Sequence, residues 1–219
     1  MTQKVDMISI SFGLHERNFD MIDPWIREAD HKKILIFASA CNDGNREAVS
    51  YPANDRSVFS VRAVDGNNKL TGFSPDPTKR EYNFAILGTN LESTWPTRLT
   101  SPLSTADQGP KIRSISGFAC ATNYMTGTSF AAPLMAALIA NVYAYYRENY
   151  NKVWEGAGMA HRPKLECFVG VQKVLKAMTI QVNECRVIAP WRKGFASYGD
   201  ESGDDNIYYP LKQALRAKD

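Results

Sequence analysis

The run Ile34-Leu35-Ile36-Phe37-Ala38, closed by Ser39-Ala40 and then Cys41-Asn42-Asp43-Gly44, constrains the fold more than any other stretch of these 219 residues. A strand with one wet face alternates apolar and polar residues. A run without alternation is buried on both faces, the condition of an inner strand in a parallel sheet covered by helices. The small and turn residues after Ala38 close it at its carboxyl end, where open α/β sheets carry functional groups. Upstream, Val5 to Gly13 reads as a second strand and Phe19 to Asp30 as a helix leading into the Ile34 run, which together make a βαβ unit. The expected fold class is α/β, a doubly wound and mostly parallel sheet.

Gly127-Thr128-Ser129-Phe130-Ala131-Ala132-Pro133 places a serine flanked by small residues at the mouth of a long apolar helix. Thr128 and Ser129 stand where N-cap residues belong, Pro133 fits a first turn, and Leu134 to Tyr150 carries the helix onward. Unpaired N–H groups and the positive end of the helix dipole then face any negative charge that develops beside the serine oxygen. On its own this segment also fits plain capping of a buried helix. Asn42, at the end of its strand, carries an amide able to donate to an oxyanion.

These segments, with Tyr51-Pro52-Ala53 and the strand and turn from Val58 to Phe73, resemble the subtilisin-like serine peptidases in content and order. The likeness runs from about residue 5 to 97 and from about 117 to 150, and continues more faintly to about 178. It implies that Ser129 is the nucleophile, and that Asn42 and the Ser129 backbone N–H form the oxyanion hole. It further implies that Ser11-Phe12-Gly13 is the edge that aligns an extended peptide by added β-pairing, and that Ala40 and its small neighbours line the pocket beside the scissile bond. A polypeptide is the implied substrate, and no cofactor or metal is implied. Cys41 stands where such peptidases usually have glycine, so its backbone is expected to be restricted; its thiol reads as inert.

The same resemblance exposes a gap. The family orders its triad Asp, His, Ser, with the first two before the oxyanion asparagine. Only 41 residues precede Asn42, and they contain neither an Asp-Ser-Gly or Asp-Thr-Gly segment nor a Gly-His-Gly-Thr segment. His15 follows the substrate strand and is the nearest substitute base, but reads as a surface histidine; His31, in Asp30-His31-Lys32-Lys33, reads as solvated, and His161 as a loop residue. A serine hydroxyl without a base is a poor nucleophile. In subtilisin, removing triad members costs on the order of a millionfold in turnover. The expectation is a chain that holds a nucleophile and an oxyanion hole and is inactive alone. It is read first as the C-terminal part of an endopeptidase domain incomplete at its N-terminus, then as a peptide-binding pseudopeptidase or half of a split enzyme completed by an N-terminal fragment. A sheet lacking its first strands also leaves apolar edges uncovered.

Composition bounds the rest. A hydrophobic content of 44% gives this length a sizeable core, and one domain is expected. A net charge of +3 without a long basic run gives no footprint for nucleic acid. Four cysteines, without a Cys-x-x-Cys spacing, fit free thiols. The N-terminus leads into a strand rather than a signal peptide, and the apolar stretch near Leu134 to Ala144 is short for a bilayer, so no membrane partner is expected and an intracellular chain is the default. A helix N-terminus also suits a phosphate, but the sequence has no glycine-rich phosphate loop with a following Lys and no Gly-x-Gly-x-x-Gly opening a helix. Leu165 to Met178 repeats apolar residues at helical spacing, Val169 among them. The peptidase-like unit is expected to span 1–185. Residues 186–219 read as an extension or tail, with a short helix near Ile207 to Ala217 and an acidic Asp200 to Asp205 that lacks EF-hand spacing.

Overall fold

The computed structural model describes residues 4–16, 20–44, 48–77, 83–96, 111–115, 118–151, 165–189, 211, 214 and 215, with the side chains of 111–120 excepted. His161, the segment 97–110, Trp191 to Lys193 and the acidic stretch Asp200 to Asp205 lie outside them.

Nine strands and three helices are described. In chain order they are β1 Met7–Ile10, α1 Asp23–His31, β2 Leu35–Ser39, β3 Val58–Val64, β4 Phe84–Leu87, β5 Leu91–Trp95, β6 Lys111–Ile115, β7 Phe118–Met125, α2 Thr128–Glu148, α3 Phe168–Ala177, β8 Thr179–Val182 and β9 Cys185–Ile188. The main sheet has the order β1-β2-β3-β4-β9-β8. All its pairings are parallel except β8 with β9, which form an antiparallel hairpin. The α/β class and the mostly parallel sheet are as expected.

The apolar run that opened the argument becomes β2, buried at every position. Its alternate residues serve two cores. Leu35 and Phe37 join Phe59, Val61, Ala63 and Phe84 under α2, while Ile36, Ala38 and Ala40 join Ile26 and Ala29 of α1, with Val49, Tyr51, Ala53 and Val58, on the other face. Phe59 is the centre of an aromatic stack, with Phe37 at 4.9 Å and Phe168, the first residue of α3, at 4.2 Å between ring centroids. Buried Tyr51 ties the second core to α1 through a 2.5 Å hydrogen bond from its hydroxyl to buried Asp23. Buried Arg62 donates from Nε and Nη2 to the carbonyls of Pro75 and Asp76, at 3.1 and 3.2 Å.

Several expectations shift. The first strand ends at Ile10, so Ser11 to Gly13 lies beyond it, and α1 starts at Asp23, just before Pro24. Val169 is 53% exposed, on the outer side of α3. A second, antiparallel sheet of order β5-β7-β6 stands apart from the main one. The core does not stop at residue 185. β9 pairs with β4 beyond that point, and Leu211 and Leu215 are fully buried in the α2 core. By length and composition α2 is able to cross a bilayer, contrary to the expectation of a short apolar stretch. It instead packs across β1, β2, β3 and β4. β1 is the outer strand of the sheet and only partly covered: Ile8 is 36% and Val5, just before it, 49% exposed.

Candidate active site

The carboxyl ends of β1, β2 and β4 meet the N-terminus of α2, and the sequence explains how they close. Gly88, after β4, accepts the Gly127 N–H at 2.8 Å, and a Cβ there would lie 2.5 Å from that of Ala63, so only glycine lets the helix start so near the sheet. Gly127 is the N-cap of α2, with φ 153° and ψ 157°, and no side chain of its own caps the helix. Thr128 and Ser129 are therefore the first two helical residues rather than caps. The cap comes from across the molecule.

Asn42 supplies it. Its Oδ1 accepts the Thr128 backbone N–H at 2.8 Å and lies 2.9 Å from Thr128 Oγ1, which also donates to the Cys41 carbonyl at 3.1 Å. Thr128 is fully buried and Asn42 exposed. Oδ1 is thus engaged by the helix, and the other polar group of the Asn42 amide is its N–H₂, a donor. The helix has no acidic residue in its first turn to offset its positive end.

Ser129 is half-buried, and its hydroxyl donates to the Ser11 carbonyl at 3.0 Å. A carbonyl oxygen orients that proton but has no tendency to accept it outright, so this contact leaves the hydroxyl unactivated. His15 is exposed just past Leu14, and His31 is exposed at the end of α1.

Ser11, Phe12 and Gly13 form an exposed ledge, with Phe12 62% exposed. The ledge is anchored behind by Leu14, whose N–H and carbonyl pair with Tyr51 at 2.7 and 2.9 Å. A Cβ on Gly13 would come within 2.0 Å of Ser50 Oγ, so glycine is needed for this close approach. The structure brings Ser11, Asn42 and Ser129 together. Ala40, expected to line a pocket, has no exposed surface: it continues the inward phase of Ala38 into the α1 core, and the half-exposed residue there is Cys41. Cys41 has φ 150°, a backbone that favours glycine, in line with the restriction expected of a side chain there.

What local reading missed is Thr128 as the partner of Asn42 and the Ser11 hydroxyl, which donates to the Ser129 carbonyl at 2.7 Å. Neither leaves a local signal, because the partners are 86 and 118 residues apart.

Comparison with known proteins bears on the family and the fold. The chain is 29% identical over 150 residues to the subtilisin-like protease het-Q2 of Podospora anserina, covering 66% of this chain and 36% of that protein. It is 27% identical over 154 residues to the major intracellular serine protease of Bacillus subtilis (strain 168), covering 68% of this chain and 40% of that protein. Among solved structures, a serine-to-alanine mutant of the protease domain of PatA shares the fold with a TM-score of 0.61 at 17% identity, over 94% of this chain and 60% of that one. The PatG macrocyclase in complex with peptide follows at 0.57 and 16%, over 81% of this chain and 44% of that one. The chain thus spans between 36% and 60% of the length of these relatives. Residues 1–164 match the subtilase family, and with the parallel sheet and the serine at its helix mouth they settle the assignment: the chain belongs to the subtilisin-like peptidase family.

Proposed function

We propose that this chain carries the nucleophile and oxyanion half of a serine endopeptidase site that acts on extended polypeptides, and that by itself it does not hydrolyse peptide bonds. The observation that carries the reading is the hydrogen bond of Ser129 Oγ to the Ser11 carbonyl, where an active site needs a base. Ser129 is the nucleophile, and its own N–H and the Asn42 amide are the oxyanion donors. The exposed ledge Ser11 to Gly13 receives the substrate backbone by β-pairing. The histidine base and the carboxylate that orients it come from polypeptide outside these 219 residues. β1 offers the seat for that polypeptide: an outer strand of a parallel sheet with Val5 and Ile8 exposed is an edge that calls for a further strand.

A second reading, a peptide-binding pseudopeptidase, is favoured by the exposed Phe12 beside the ledge. One experiment separates the two. The chain is produced alone and joined to a strand-and-helix segment of a subtilase domain bearing the missing Asp and His, and hydrolysis of a fluorogenic peptide is followed. Activity that appears only on joining, and is lost in Ser129→Ala, supports the endopeptidase reading. Saturable peptide binding with no turnover in either form, unchanged by Ser129→Ala, supports the binding module instead.

A further inference from the structure

The helix that carries Ser129 has a proline in its interior. Pro133 is the sixth residue of α2, not part of its first turn, and in an α-helix the carbonyl of residue 129 accepts from the N–H of residue 133. Proline has no N–H, and its ring crowds the carbonyl four residues before it. The Ser129 carbonyl is thus deprived of its helical partner. Ser11 meets it: the Ser11 hydroxyl donates to the Ser129 carbonyl at 2.7 Å, while the Ser129 hydroxyl donates back to the Ser11 carbonyl at 3.0 Å.

We propose that Ser11 is a positioning residue for Ser129: its hydroxyl replaces the helix hydrogen bond that Pro133 removes, and so locks the first turn of α2 to the end of β1. The functional meaning of this lock rests on the reading of Ser129 as nucleophile; the lock itself does not. In this role the Ser11 hydroxyl acts on Ser129, while the Ser11 backbone belongs to the ledge. Three of the N–H groups at the helix start are held by other means. Thr128 N–H is bound by Asn42, and the N–H groups of Phe130 and Ala131 reach the Gly127 carbonyl at 3.1 and 3.4 Å. Removing the Ser11 hydroxyl therefore frees one carbonyl without dissolving the turn. The nucleophile and the substrate ledge move as one body only while the pair is intact.

The test exploits an accident of the sequence. Ser-Phe occurs at Ser11-Phe12 and Ser129-Phe130 and nowhere else in the chain. Labelling with ¹³C-carbonyl serine and ¹⁵N phenylalanine thus reports the two carbonyls of the pair alone. Ser11→Ala is expected to shift the carbonyl resonance seen through the Phe130 amide, and Ser11→Thr, which keeps a hydroxyl, to restore it. In urea unfolding, Ser11→Ala is expected to raise the unfolding constant roughly 2- to 12-fold, the range for one lost hydrogen bond. In a Pro133→Ala background, where residue 133 again has an N–H, the same change is expected to cost less than about 2-fold. An unmoved Phe130 signal, or an equal cost in both backgrounds, overturns the proposal. If Ser11→Ala alone fails to fold, folding of the double variant supports it and its failure overturns it. Neither readout requires Ser129 to be a nucleophile, so loss of that reading by active-site labelling is a separate result.

Discussion

Asn42 Oδ1 accepts the Thr128 N–H at 2.8 Å, so one side chain at the end of β2 caps the helix that begins 86 residues later. With the oxyanion role proposed above, the amide has two separable duties, one on each of its polar atoms. Asn42→Ala removes both and is expected to cost about 1–2 kcal/mol of stability. Asn42→Asp keeps the acceptor at a helix N-terminus and is expected to leave stability within about 0.5 kcal/mol, while in a form completed with Asp and His it lowers turnover about 10²- to 10³-fold through loss of the donor. Urea unfolding and peptide hydrolysis measure the two effects.

Backbone strain at the site gives a pair of opposite outcomes. Gly127 adopts φ 153°, and a Cβ there would lie 3.3 Å from Asn42 Nδ2, so Gly127→Ala is expected to destabilise by more than about 1 kcal/mol. Cys41 has a side chain at φ 150°, and Cys41→Gly is expected to hold or raise stability, by up to about 1 kcal/mol. Thermal unfolding of the two variants checks both signs.

Phe59 is stacked between Phe37 and Phe168 and is 1% exposed. Phe59→Ala is expected to cost about 3–5 kcal/mol, since it removes the ring joining β2, β3 and α3 and leaves a void that none of these elements is free to fill. Phe59→Leu retains most of the volume and is expected to cost less than half as much. Denaturant midpoints measure the difference.

Stability is expected to decline in alkali. Burial holds the Cys185 thiol above its ordinary range, against the pull of the Arg62 charge. Burial, reinforced by the charge of Glu166, pushes Tyr143 up to about 12. Both groups bind their protons more tightly in the folded chain than in the unfolded one. The stability they contribute is complete below the unfolded pKa values and is lost as pH rises through the folded ones. For Cys185 the loss begins near the ordinary thiol value of about 8.5, and for Tyr143 near about 10. Urea midpoints measured across this range are expected to fall, and Cys185→Ala to flatten the first part of the fall.

How much of this was legible depended on where each partner lies in the chain. β2 was legible because burial on both faces erases alternation, and α2 because a long apolar run follows Gly-Thr-Ser. The β5-β7-β6 sheet was not read, because Leu91 to Trp95 mixes apolar and polar residues and nothing local says that it leaves the main sheet. The hairpin of β8 and β9 was hidden in four-residue strands joined at Asn183, whose φ is 52°. Residues 186–219 looked detachable by polarity, yet Leu211 and Leu215 reach the core. At the site, Ser129 and Asn42 stood out as candidates from their own neighbourhoods. The burial of Ala40 against α1 and the hydrogen-bond partners of Ser129 and Asn42 required the folded chain.

The central proposal is that Ser129 is a nucleophile with no base beside it among the described residues. The direct measurement is labelling by an organophosphonate probe, with the adduct mapped by mass spectrometry on the chain alone and on the chain joined to a segment carrying Asp and His. The account predicts no adduct at Ser129 in the first case and an adduct, abolished by Ser129→Ala, in the second. An adduct at Ser129 on the chain alone would contradict it.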